Sequence, residues 1–167
     1  MTALSRIPKS SDNVALRPLQ AQDAQAAAEV IRAAFAAQRM ATRSRSSALG
    51  ETRETVAAKI EAGGGFGVFA GEKLAAVALW RLDDSVFLVS RVGVLPQQRG
   101  QGIAGVLFAS RDAEARRRGV NRMRSRARLN LPENERVFAR FGFQRARVEA
   151  HEGFDLPTTA VMEKTLR

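Results

Sequence analysis

Residues 92–105, VGVLPQQRGQGIAG, hold the densest chemistry in the sequence. A β-rich run ends at Pro96, a polar turn follows, and Arg99-Gly100-Gln101-Gly102-Ile103-Ala104 opens an alanine- and arginine-rich helical stretch. Glycine carries no Cβ, so an anion can come close to the backbone at Gly100 and Gly102. The first turn of a helix adds unpaired N–H groups and the positive end of the macrodipole, which hold a phosphate by amides alone. The segment reads as a phosphate cradle on a strand–turn–helix, and the owner of the phosphate is the open question.

Few other residues offer acid–base chemistry. His151 is the single histidine of the chain, and histidine is the side chain whose unperturbed pKa lies nearest neutrality. It stands in His151-Glu152-Gly153-Phe154, with Asp155 close by, where Glu152 and Asp155 are either solvated charge or a grip on a cationic acceptor. Ser90 and Arg91, just before Val92, could face an acceptor. The chain has no cysteine, so disulfides, thiolate metal sites and a cysteine nucleophile are excluded, and one histidine argues against a transition-metal site. It also has no tyrosine.

The formal net charge is +10 from 27 basic and 17 acidic residues. Residues 111–147 concentrate the excess, and Arg122, Arg124, Arg126 and Arg128 alternate with Met123, Ser125, Ala127 and Leu129. In a strand all four arginines share one face. The expectation is an exposed face whose aliphatic stems cover the sheet. An acidic acceptor or nucleic-acid phosphate is the functional alternative, although the aromatic interleaving of single-strand binders is missing.

These residues need elements to position them. The pattern predicts a strand over 13–19, a helix over 21–38, a mobile polar loop over 39–49 and a second helix over 51–62. Strands follow at 66–70, 74–82 and 85–95, then a helix from Gly100 to Arg118, a strand at 121–129, a short helix at 132–140, and closing strands at 142–148 and 159–166. The order β-α-α-β-β-β-α-β-α-β-β implies a single α/β (α+β) domain over 1–167, a mixed and mostly antiparallel sheet with helices on both faces. Residues 1–12 are expected to be a flexible lead-in. No stretch is apolar enough to span a bilayer, so the sequence points to a cytoplasmic protein with no membrane partner.

Gly100-x-Gly102-x-x-Gly105 formally matches a dinucleotide fingerprint. That fingerprint belongs in an opening βαβ unit with an acid about twenty residues on. Here it follows several strands, and the next strand carries arginines. A P-loop is excluded because no GxxxxGK[ST] occurs.

The segment VGVLPQQRGQGIAGVLF instead resembles motif A of the GCN5-related N-acetyltransferases (GNAT), with Arg99-Gly100-Gln101-Gly102-Ile103-Ala104 as its core. Asn134–Phe143, NERVFARFGF, is similar to the family's second signature, and the element order agrees. The resemblance implies an acetyl-CoA-dependent N-acetyltransferase with acetyl-CoA as co-substrate and direct attack by a primary amine of a small molecule or protein. It places the pyrophosphate on Arg99, Gly100, Gln101, Gly102, Ile103, Ala104 and Gly105, and the pantetheine arm along Val92, Gly93 and Val94. Gly93 separately suits a bulge or a close backbone approach. Asn134, or alternatively Asn130, would lie near the arm. Many relatives carry a tyrosine, as proton donor to the departing thiolate, where this chain has Phe138; that role is not carried over. His151 is the candidate base. The competing class is a non-catalytic basic module bound to nucleic acid or the ribosome. A monomer or a homodimer is compatible with either reading.

Overall fold

The computed structural model describes residues 14–37 and 47–167. Strands β1 (Val14–Pro18), β2 (Gly64–Ala70), β3 (Lys73–Asp83), β4 (Val86–Val94), β5 (Arg122–Arg128), β6 (Gln144–Glu149) and β7 (Thr159–Thr165) form one seven-stranded sheet in the order β1-β2-β3-β4-β5-β7-β6. Every neighbouring pair is antiparallel except β4 and β5. A parallel pair needs a long crossover, and α3 (Ile103–Arg117) supplies it. The remaining helices are α1 (Ala24–Ala36), α2 (Arg53–Ala62) and α4 (Pro132–Arg140). Among the described residues no helix is long and apolar enough to cross a membrane.

The element order agrees with the sequence expectation, and the differences lie at the ends. The first helical stretch begins as a 3-10 turn over Ala21–Asp23. Thr52 caps α2, its side chain accepting from the Thr55 amide, so the helix starts later than its composition suggests. The expected loop over 39–49 and the lead-in over 1–12 fall on or beyond the limits of the described residues; within the loop, Ser47–Gly50 forms a 3-10 turn.

Alternation along β3 sorts the core into two layers. Val77 and Leu79 pack with Ala27, Ile31 and Val56 beneath α1 and α2. Ala76 and Ala78 meet Ile103 and Leu107 of α3, while Trp80 joins Phe87, Phe108, Phe138 and Phe143 on the same face. The run Leu74–Trp80 is buried throughout because helices cover both faces of the central strand. Arg111 of α3 is fully buried, and among the described residues its guanidinium nitrogens meet no hydrogen-bond acceptor. The guanidinium lies over the Phe108 ring at 3.9 Å. Burial pulls its pKa down to about 9 despite the nearby Asp112 carboxylate.

Candidate active site

The parallel contact between β4 and β5 is short. Val86, Phe87 and Leu88 pair with Arg122, Met123 and Arg124, and the strands then separate. The Ser125 hydroxyl donates to the Val89 carbonyl at 3.1 Å and is the last tie before the gap. A β-bulge in the β3–β4 ladder, where Arg91 and Val92 oppose Ala78, bends β4 at this point. Arg91 there has a left-handed φ of 53°, a costly conformation for a non-glycine residue that surrounding contacts must hold. The separating strands open a cavity of about 750 Å³, bordered by α1, α4 and the 3-10 turn at Ser47.

The β4 wall is built from backbone. The Leu95 amide donates to the Ala75 carbonyl at 2.9 Å, and Gly93 pairs with Val77 two residues on. Antiparallel alternation therefore commits the Gly93 polar groups to β3 and turns those of Val92 and Val94 toward the gap. Arg99 lies along the end of this edge, donating to the Val94 carbonyl at 3.3 Å and to the Ala34 carbonyl at 3.1 Å. The chain then passes through Gly100 (φ 79°) and Gly102 (φ 76°) into α3. Open space surrounds the position a Gly100 Cβ would take. No side chain caps α3, and its first backbone bond runs from the Val106 amide to the Gly102 carbonyl. The amides of Ile103, Ala104 and Gly105 therefore stand at an uncapped helix start, suited to an anion.

The opposite wall is built from side chains. Met123 and Ala127 pack into the layer beneath α3 and α4, Arg124, Arg126 and Arg128 take the alternate positions, and all of residues 124–128 line the cavity. Glu163 holds Arg124 at 2.8 Å, and Glu149 meets Arg126 at 3.5 Å. His151 borders the same end; its Nδ1 contacts the Thr158 hydroxyl and lies 3.3 Å from the Thr159 hydroxyl. Burial, together with the positive charge of Arg128 and Arg126, pushes the His151 pKa below its ordinary value, so the ring is neutral at neutral pH.

An ion cluster around the buried Glu51 carboxylate braces the bend in β4. Glu51 is 3% exposed and accepts from Arg91 at 2.9 Å, from the Thr55 hydroxyl at 2.5 Å, and from Lys59. Burial would raise this carboxyl, but the hydrogen bonds from Lys59, Thr55 and Arg91 outweigh it and hold the pKa below the usual carboxylate range. Arg91 also reaches the Ser47 hydroxyl at 3.0 Å. Two segments forty residues apart in sequence are thus joined behind the left-handed residue.

The structure brings together Val92, Gly93, Val94, Arg99, Ala104, Asn134, Phe138 and His151 around one cavity, with Ser90 and Arg91. Asn134 lines it; Asn130, the alternative asparagine, does not. Gly100, Gln101, Gly102 and Gly105 lie outside the cavity wall, and the Ile103 side chain is buried beneath α3. The expected helix from Gly100 begins only at Ile103, because the positive φ values keep residues 100–102 in a turn. The close approach at Gly93 is to α1: a Cβ there would stand 3.0 Å from that of Ala34. Glu152 and Asp155 are exposed and away from the cavity. Of the expected exposed arginine face, Arg122 and Arg126 keep more than half of their side-chain surface exposed, and Arg124, Arg126 and Arg128 also line the cleft. The splay of β4 from β5 moved them there, and no pattern within residues 121–129 reports that splay.

The model of the Acetyltransferase (GNAT) family matches residues 29–143, more than half of the chain. The chain belongs to the GNAT acetyltransferase family. No curated protein sequence matches it. Among solved structures, the GNAT fold here is similar to the ribosomal-protein-S18-alanine N-acetyltransferase of Escherichia coli, at 17% identity and TM-score 0.73 over 92% of this chain and 94% of that one. The PaiA N-acetyltransferase of Thermoplasma acidophilum, in complex with coenzyme A, gives 17% identity and TM-score 0.74 over 92% and 99%. YncA of Salmonella typhimurium, with acetyl-CoA, gives 18% identity and TM-score 0.73 over 93% and 95%.

Proposed function

We propose that the cleft transfers an acetyl group from acetyl-CoA to a primary amine by direct attack. The observation that carries the reading is the main-chain edge of β4 at Val92 and the Val94 amide, followed through the turn at Gly100 and Gly102 by the uncapped start of α3. Acetyl-CoA fits this pair of features, and when bound it supplies an acetyl group activated as a thioester. The polar groups of Val92 and Val94 would align the pantetheine arm, with Gly93 holding the strand against α1. The turn and helix start, Arg99 through Gly105, would hold the pyrophosphate. Asn134 and Phe138 would border the arm from α4.

The chain's own contribution to the chemistry is position and proton transfer. The two walls hold the amine against the activated carbon, converting an encounter into a first-order step. His151, neutral at neutral pH, takes the amine proton as the new C–N bond forms and the C–S bond breaks. Phe138 is packed edge-on against Phe108 and Phe143 and has no hydroxyl. It cannot protonate the departing sulfur, and water entering the cleft supplies that proton.

The test is free-thiol release from acetyl-CoA across a panel of primary amines, with mass spectrometry of the acceptor. Amine-dependent thiol release with an acetylated product is expected. Release from no amine in the panel, at acetyl-CoA concentrations that saturate the protein, contradicts the reading.

A further inference from the structure

We infer that the acceptor is a small amine carrying a carboxylate or phosphate group, which the Arg126 guanidinium receives on the β5 wall. The inference rests on the acetyl-transfer reading above and narrows its acceptor.

The charged residues lining the cavity are Arg91, Arg99, Arg124, Arg126, Arg128 and Glu133. Glu133 lies on α4 beside Asn134, at the end proposed for the pantetheine arm. Five arginines thus stand against a single carboxylate among the described lining residues, which also include Phe35, Ser47, Ser90 and His151. A polyamine would meet like charge there, and repulsion across a recognition site selects against such a partner. A carboxylate or phosphate matches the planar fork of arginine and can be held by two parallel hydrogen bonds.

The arginines are not equivalent. Arg91 is drawn back by Glu51 at 2.9 Å, Arg99 by two main-chain carbonyls, and Arg124 by Glu163 at 2.8 Å. Arg126 meets Glu149 only at 3.5 Å, and Glu149 has a nearer partner in Arg147 at 3.0 Å. The Arg126 side chain keeps 57% of its surface exposed. Its fork is thus held more loosely than those of Arg91, Arg99 and Arg124, with room for an incoming anion. Arg126 and Arg128 also act electrostatically on His151, so the anion-binding group and the candidate base lie close enough to serve one compact molecule. The size agrees: a cavity of about 750 Å³ must hold the acyl end of the co-substrate as well as the acceptor.

The experiment uses the full chain and matched pairs that differ in the anionic group: β-alanine against β-alaninamide, and phosphoethanolamine against ethanolamine, with spermidine as the polycation. Thiol release should give kcat/KM at least about tenfold higher for one acidic member than for its neutral partner, the discrimination of a single charge-assisted contact, with spermidine lowest. The two pairs separate a carboxylate from a phosphate acceptor. Arg126→Gln should lower that preference about tenfold or more, and Glu149→Gln, which removes the competing carboxylate, should raise it. Neutral or cationic amines used as well as acidic ones would overturn the inference. So would failure of every acidic amine while acetyl-CoA binds, or a preference unmoved by both variants. Failure of acetyl-CoA to bind at all would instead remove the acetyl-transfer reading.

Discussion

The two walls of the cleft are made by opposite means. On the β4 side the wall is backbone: Val92 turns its polar groups to the gap, Val94 shares its carbonyl with Arg99, and positive-φ glycines lead to an uncapped helix. On the β5 side it is side chains: three arginines at alternate positions, with His151 beside them. A backbone wall suits a part of the ligand that never changes, because substitutions that keep the fold leave the main-chain groups in place. A side-chain wall is revised by single substitutions and suits a partner that can vary. Between them stand only three paired residues and the Ser125–Val89 tie.

That contrast can be broken wall by wall. The largest effect is expected on the backbone side: Gly102→Asp puts a carboxylate and a strained left-handed residue at the helix start. Like charge facing the pyrophosphate should weaken acetyl-CoA binding by about 1000-fold or more, read by calorimetry on protein shown to be folded. Retained affinity would move the phosphate site elsewhere. On the side-chain wall, His151→Ala should lower kcat about 100-fold while acetyl-CoA affinity is kept. In the parent protein kcat/KM should fall only below pH 6.5, because burial and the two arginines depress the histidine pKa and the base is lost once protonated. Equal turnover in the variant would dismiss His151 as base.

Smaller effects are expected where the walls are braced. Glu51→Gln should cost about 1–3 kcal/mol at neutral pH, since it leaves the partly buried donors of Arg91 and the Thr55 hydroxyl poorly matched, while the more exposed Lys59 turns to water. The Glu51 carboxyl titrates lower folded than unfolded, so its contribution is present above pH 4.5 and fades as pH falls through the folded pKa. The variant should lose that part of the acid dependence in chemical denaturation at a series of pH values. The least change, about 1 kcal/mol, is expected for Ser125→Ala, which removes one neutral hydrogen bond at the mouth of the splay. A loss several times larger would make this tie, and not the three-residue pairing, the main clasp between β4 and β5.

The backbone wall was the legible one. Gly100 and Gly102 announce a turn that other residues resist, and Pro96 marks the strand end, so the strand–turn–helix is visible in the sequence although the helix begins three residues later than expected. The fold order followed from periodicity, most clearly in the unbroken apolar run Leu74–Trp80. The side-chain wall was visible only as alternation: Arg122 to Arg128 share a face in any strand, exposed or enclosed. Their place in the cleft depends on β4 bending away at Arg91, where a non-glycine residue adopts a positive φ held by Glu51. That contact spans forty residues and leaves no local signal. The same is true of Phe35 and Ser47, which reach the cavity only through tertiary packing.

Calorimetric titration of acetyl-CoA into the full chain tests the central claim most directly. The account predicts saturable binding at one site per chain, abolished by Gly102→Asp and retained in His151→Ala. Absence of saturable binding by the folded parent protein, or binding that Gly102→Asp leaves intact, would contradict it.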